Sequence, residues 1–359
     1  MTVINDEPCI VKWNYNKRHW LYEIELINMQ KVVVVGAAVV DVLLKSKSLR
    51  VMKSHQIEGG VAMCEVLGGK IEAENGVLVS GGGGTNVAVG LHRLGEAVKM
   101  ISRVGNDDLS EVLVRQLEKE NIDLSSLQKT KGKTGLSAVL VANDGGRSIV
   151  TYRGESGEIE RGEIDWEMIK KADWIQISSL GGEMNLLEDL VAFALEHGIR
   201  IGINPGKKEL VEKERLKLLL SKFDLFVVNR MEASEFWEDK FDDEEIMVKK
   251  FAKAGTKLLM ITDGKRGAGV CEKGRWIKME AYPNKSIDDT GAGDAFVSGV
   301  VAGLLSGKKV QEALKMGLAN GGSVVGKLGA KDGLLYKNDM DRWLKKKLKT
   351  VEEILGVVK

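Results

Sequence analysis

Asp288-Asp289-Thr290-Gly291-Ala292-Gly293-Asp294-Ala295-Phe296 is the stretch on which the reading of this chain turns. Two glycines free the backbone amides, an aspartate follows, and an apolar helical run begins beside it. N–H groups in the first turn of a helix have no partner within it, and the helix dipole is positive at that end. Such a turn attracts an anion, above all a phosphate. A carboxylate set there would be repelled unless it had a task. Taking a proton from a hydroxyl about to attack that phosphate is such a task. The stretch therefore reads as a centre for phosphoryl transfer.

Working outward, apolar runs of strand length alternate with helical patterns. Val32–Val35, Lys99–Val104, Trp174–Ile177, Ile199–Ile203, Leu225–Val228 and Leu258–Thr262 read as buried strands. Leu109, Val112, Leu113 and Leu117 share one helical face, and from Val310 a helical stripe runs to Leu328. The alternation predicts a mostly parallel sheet covered on both faces, with ligands at the carboxyl ends of the strands. Two segments break it. Residues 46–80 read as short antiparallel strands, and residues 136–153 as a hairpin around Asn143-Asp144-Gly145-Gly146. Together they predict a small β-sheet over the main one, a lid; two unrelated surface hairpins are the alternative. The lysine-rich run Trp343–Lys349 reads as a solvated helix balanced by Glu352 and Glu353.

Composition narrows the classes. The chain has 359 residues, 43% hydrophobic and 29% charged, enough for one large α/β domain with a small appendage. A net charge of +1 gives no electrostatic footprint for nucleic acid. Cys9, Cys64 and Cys271 are too scattered for a disulfide framework or a metal site, which predicts a reducing, cytoplasmic setting. No apolar run reaches the ~20 residues a membrane-spanning helix needs. Met29 stands directly before the first convincing strand, so residues 1–28 are expected to be an extension, with a short N-terminal strand as the alternative.

Other candidate residues lie at glycine-rich turns. Gly132-Lys133-Thr134 resembles the end of a P-loop, but Leu127 occupies its first glycine position. Gly81-Gly82-Gly83-Gly84-Thr85-Asn86 opens a helix, strips side chains from the backbone, and offers the Asn86 amide to hydroxyls. Asp41, just beyond the first strand, can accept two adjacent hydroxyls or serve as a turn residue. Asn229 and Glu232, three apart at a strand-to-helix junction, fit either Mg²⁺ and phosphate or a helix capping box. Thr262, Gly264 and Gly267 close another strand, where they could border a nucleotide or form an ordinary turn.

Taken together, these motifs resemble the ribokinase (PfkB) family of carbohydrate kinases over roughly residues 31–335. The likeness rests on the run Gly81–Gly105, on Asp288–Phe296, and on Asn229 with Glu232 as N-x-x-E. It implies a ribokinase-like three-layer α/β/α sandwich with a β lid from about 42–80 and 132–158, a kinase domain over 29–340 and a basic C-terminal helix over 341–359. The implied activity is ATP-dependent phosphorylation of a hydroxyl on a sugar or sugar-like molecule. Asp294 would be the base, and Gly291, Ala292 and Gly293 the anion hole. Asp41, Gly82 and Asn86 would bind substrate, with Arg153 and Glu155 facing it from the lid return or forming a surface salt bridge. Asn229, Thr262, Gly264, Gly267 and Asn320 would meet ATP, and Glu232 would meet Mg²⁺ through water. Asp288, Thr290, Val325, Leu328 and Ala330 occupy the positions of a monovalent cation site, K⁺ in some members. The lid often forms a dimer interface in the family, which makes a homodimer a candidate assembly. Val39 and Gly83 depart from the asparagine and lysine of ribokinases proper and argue against ribose as acceptor. A nucleoside kinase of the same fold and a non-catalytic sugar or nucleotide sensor are the rival readings.

Overall fold

The computed structural model describes residues 31–53, 61–65, 68–142 and 146–355. The expected extension over 1–28 and the hairpin tip Asn143–Gly145 lie outside the described residues. The four valines of the first described strand, Lys31–Gly36, alternate between two cores. Val32 and Val34 enter one, Val33 and Val35 the other. That period of two is what a strand buried on both faces requires. The strand pairs in parallel with Ala97–Gly105 on one side and Trp174–Ser178 on the other. The parallel run continues through Arg200–Asn204, Leu225–Asn229 and Leu258–Thr262. Ala268–Glu272, Arg275–Met279 and Thr350–Ile354 then extend it antiparallel, and Leu127–Thr130 forms the opposite edge of a ten-stranded sheet. All six runs expected to be strands are strands, and helices cover both faces.

On one face, the helices Gly83–Arg93, Ala292–Leu305 and Val310–Val324 pack through small residues. A methyl group on Gly90 would lie 2.3 Å from Ser298 Oγ, and one on Gly299 would lie 2.6 Å from the Met316 carbonyl. Backbones can approach this closely only where side chains are missing, and the approach brings the N-termini of the first two helices together. Ala292–Leu305 is apolar nearly all round because it is buried on most sides.

A second sheet has the order Asn75–Gly81, Val39–Lys45, Gly135–Val141, Arg147–Tyr152. Its inner face buries Leu43, Val139 and Val141 against Leu328 of the loop after Val310–Val324. Its edge strand Arg147–Tyr152 is exposed throughout. Arg50–Lys53 and Val61–Cys64 form a separate antiparallel pair. Asp41 lies beyond the end of the central strand Lys31–Gly36, as expected, and stands on the second sheet's strand Val39–Lys45.

Two expectations need correction. The helical stripe to Leu328 ends as a helix at Val324, and Gly329 turns with φ of 87°. The basic C-terminal segment is not one helix. Lys337–Leu344 is helical, but four lysines between 345 and 349 repel one another, and the chain leaves the helix. The β-branched pair Thr350-Val351 then joins the open sheet edge, where Glu352 meets Arg275 at 2.7 Å.

Candidate active site

The carboxyl ends of the parallel strands converge on the two helix N-termini. Gly291 caps Ala292–Leu305 with φ of 75°, a left-handed conformation that glycine adopts without strain. A side chain there would also strike Ala330, its Cβ only 2.4 Å from the Ala330 methyl. Gly293 differs: a methyl group on it would meet nothing within 4 Å. The residue therefore borders free space, and a first-turn N–H has no partner within its own helix. That space is a cavity of about 240 Å³ bordered by Thr262, Gly264, Gly267, Ala292 and Gly293, so the turns singled out as nucleotide-facing and the anion-hole turn share one cavity.

Asp294 follows in the same first turn. Its Oδ2 accepts from Asn86 Nδ2 at 2.9 Å, across 208 residues of sequence. Burial pushes the Asp294 carboxyl above the usual range, and the negative charge of Asp41 adds to that, while Asn86 and Lys331 oppose it. Asp41 is 7% exposed, and burial raises its carboxyl against the Ser137 hydrogen bond and the Lys331 charge. Gly82 caps the Gly83–Arg93 helix with φ of 87°. A methyl on Gly83 would fall 2.3 Å from Ser178 Oγ and 3.3 Å from Asp294 Oδ1, so glycine at this position keeps that oxygen open.

Asn229 and Glu232 do form a capping box. Asn229 Oδ1 accepts from the Glu232 amide at 2.9 Å, and Glu232 Oε2 accepts from the Asn229 amide at 2.8 Å. Glu232 still belongs to the site's electrostatics. Burial raises its carboxyl, and Glu235 and Asp294 push it further.

Several expected contacts are spent elsewhere. Asn320 is fully buried: its amide donates to the Ala295 carbonyl and Ser298 Oγ, both at 3.0 Å, and its oxygen accepts from the Leu335 amide. It braces two helices and does not line the nucleotide cavity. Glu155 pairs with Arg103 at 3.3 Å, while Arg153 stays exposed beside it. The monovalent-cation residues are also committed. Asp288 Oδ1 accepts from the Thr290 amide and hydroxyl, and Oδ2 accepts from the Gly329 amide. The Val325 carbonyl takes the amides of Ile287 and Asp288. Leu328 packs on the second sheet, Ala330 against Gly291. Arg147 of the second sheet brings a guanidinium nitrogen to 3.9 Å from Asp288 Oδ1. With its oxygens bonded and a fixed positive charge beside it, Asp288 does not fit a bare monovalent cation.

Sequence reasoning missed Lys331, which sits among the key groups. It donates to the Ser80 carbonyl, to Thr85 Oγ1 at 2.8 Å and to Asn86 Oδ1 at 2.6 Å. Burial brings its ammonium down to about 8 despite the attraction of Asp41 and Asp294. No local pattern marks it, since its partners lie about 245–251 residues away.

Comparison with known proteins agrees with this fold. The pfkB carbohydrate kinase family matches residues 29–336. The ribokinase of Haemophilus influenzae is 28% identical over 278 residues, covering 74% of this chain and 88% of that protein. Among solved structures, the ribokinase of Thermotoga maritima superposes with a TM-score of 0.73 at 22% identity, covering 89% of this chain and all of that one. The adenosine kinase of Sinorhizobium meliloti gives 0.72 at 20% identity, covering 87% and 98%. The fold is thus ribokinase-like, and the chain belongs to the pfkB family of carbohydrate kinases, phosphotransferases that draw on ATP.

Proposed function

We propose that the protein transfers the γ-phosphoryl group of ATP to a hydroxyl of a sugar, with Asp294 as general base. The observation that carries this is the pairing of a cavity-lining first-turn glycine, Gly293, with the half-buried Asp294 carboxylate one residue on. ATP would enter the cavity bordered by Thr262, Gly264 and Gly267 and point its phosphates at the helix N-terminus. The acceptor would lie on the other side, under the second sheet, with Asp41 and Asp294 facing its hydroxyls.

The first-turn amides of Gly293 and Asp294 would meet charge developing on the phosphate oxygens, the Ala292 N–H being already given to the Asp289 carbonyl at 3.3 Å. Asp294 Oδ1 would take the hydroxyl proton as the new bond forms, a step worth ~10²–10⁴-fold. Its raised carboxyl suits that task better than that of an ordinary aspartate. Mg²⁺ accompanying ATP would supply neutralisation of phosphate charge. Glu232 would hold it through water, because only its Oε2 is taken by the Asn229 amide. Val39, buried beside Gly135, would give an acceptor there an apolar neighbour where ribokinases proper carry asparagine. A sugar other than ribose is the acceptor this favours.

The test is ADP release with Mg²⁺ over a panel of sugars, sugar phosphates and nucleosides, with the product identified by mass. Acceptor-dependent release with a phosphorylated sugar supports the proposal. Release only with nucleosides moves the acceptor class, and binding without product across the whole panel overturns catalysis.

A further inference from the structure

We infer that Lys331 is a positioning residue of the transfer reaction, fixing the Asn86 amide so that one oxygen of Asp294 is held and the other is left free for the acceptor. The inference rests on the reading of Asp294 as base. An ammonium group can only donate, so the atom of Asn86 it touches at 2.6 Å must be the amide oxygen. The amide nitrogen is thereby turned toward Asp294, where it donates to Oδ2 at 2.9 Å. Lys331 itself cannot rotate away cheaply. Its remaining protons are placed on the Ser80 carbonyl and Thr85 Oγ1. The relay therefore runs Lys331 to Asn86 to Asp294, with each direction set by the chemistry of the groups.

The other oxygen, Oδ1, faces Gly83, the position without a side chain. An acceptor hydroxyl approaching there meets a lone pair that the protein has not already used. This arrangement also revises the part of Asn86. Both ends of its amide are engaged inside the protein, so its main effect is on the base and not on substrate hydroxyls. The charged groups around the relay are Asp41 from the second sheet, Asp294 from the site helix, Glu120 after the helix Asp108–Lys119, and Arg93 from the end of Gly83–Arg93. Lys119 and Asp332 join Arg93, Glu120 and Lys331 around a cavity of about 210 Å³ on the far side. Glu232 acts on Asp294 from the nucleotide side.

The experiment uses the full chain with ATP, Mg²⁺ and the best acceptor of the panel, comparing Lys331→Met, Lys331→Arg, Asn86→Ala and the double variant Lys331→Met/Asn86→Ala. Lys331→Met should lower kcat about 10- to 100-fold, the range for a partner that orients a working group, with the KM for ATP unchanged. The acid limb of its kcat/KM profile should move to higher pH, because Asp294 loses a positive neighbour and a secured donor. Lys331→Arg should recover part of both effects. The double variant should be no slower than Asn86→Ala alone, since the lysine acts through that amide. Should Lys331→Met fail to fold, Lys331→Arg against Asn86→Ala reads the same relay. A folded Lys331→Met enzyme with unchanged kcat and acid limb overturns the inference, as does a double variant slowed by the product of both single effects. Wild-type protein that transfers phosphate to no acceptor overturns the reading of the site instead, and the inference with it.

Discussion

The two sides of the site, proposed here as the nucleotide side and the acceptor side, are built in different ways. On the nucleotide side, Thr262 ends one parallel strand with Gly264 and Gly267 just after it, and Asn229 ends its neighbour with Glu232 in the helix that follows. Each contribution is a turn of a few residues whose hydrogen bonds close locally, as in the capping box of Asn229 and Glu232. On the acceptor side, Asp41, Asn86, Asp294 and Lys331 come from four separate elements and engage one another across the length of the chain. Three are ionisable, Asp41 buried and Asp294 and Lys331 half-buried, and their protonation is displaced from its ordinary range. The first region is a receptacle open to solvent, and the second is a set of coupled charges. A receptacle should tolerate single changes, while coupled charges should not.

The largest expected effect falls on the acceptor side. Asp294→Asn should cost about 10²–10⁴-fold or more in kcat while ATP affinity, measured by calorimetry, holds. Its melting temperature should not fall. The folded pKa of Asp294 is raised, so the native state holds this proton more tightly than the unfolded chain, and the charged form is a burden at neutral pH that eases as pH drops. Asparagine removes that burden. A large drop in melting temperature would mean that the carboxylate supports the fold.

Next comes a pair of variants on the turn shared by both sides. Gly293→Ala should lower kcat roughly 10²-fold by crowding the phosphate amides, without loss of stability, because its methyl group enters empty space. Gly291→Ala should lose stability as well, by about 1–2 kcal/mol from the left-handed backbone alone, plus the collision with Ala330. Thermal melts and steady-state rates on the same two samples separate the cases. Equal behaviour of the two would erase the distinction between a phosphate-facing and a structural glycine.

A smaller effect is read in the pH profile. Since the folded pKa of Asp294 is raised, the acid limb of kcat/KM should lie above the ~3.9 of an unperturbed aspartate. A limb at the ordinary value would show that the acting base is another group. Smallest is the expected response to monovalent cations. Turnover should be the same in K⁺ and Na⁺ buffers, because Asp288 is already hydrogen-bonded and faces Arg147. Activation by K⁺ would contradict that account of Asp288.

The same contrast explains what could be read from the sequence. The six central strands announce themselves as short, mostly apolar runs, and Asp288–Phe296 and Gly81–Asn86 each carry their chemistry within nine residues or fewer. Such signals are local, and local signals survive without knowledge of the fold. That the Asn320 amide is taken up by the Ala295 and Leu335 backbone shows only in the packing of Ala292–Leu305 on Val310–Val324. Lys331 was missed for the complementary reason: Gly329-Ala330-Lys331-Asp332 looks like an ordinary surface turn until its loop folds back over Thr85 and Asn86. The C-terminal strand escaped because the edge it joins lies some seventy residues earlier, at Arg275–Met279. Helical periodicity cannot register such a partner.

The most direct test of the central claim is a crystal structure of the protein with a non-hydrolysable ATP analogue, Mg²⁺ and the acceptor found by screening. The account predicts an acceptor hydroxyl within about 2.6–3.2 Å of Asp294 Oδ1, in line with a γ-phosphate held on the amides of the Gly291–Asp294 turn. An acceptor bound away from Asp294, or phosphates lodged at a different helix terminus, would contradict it.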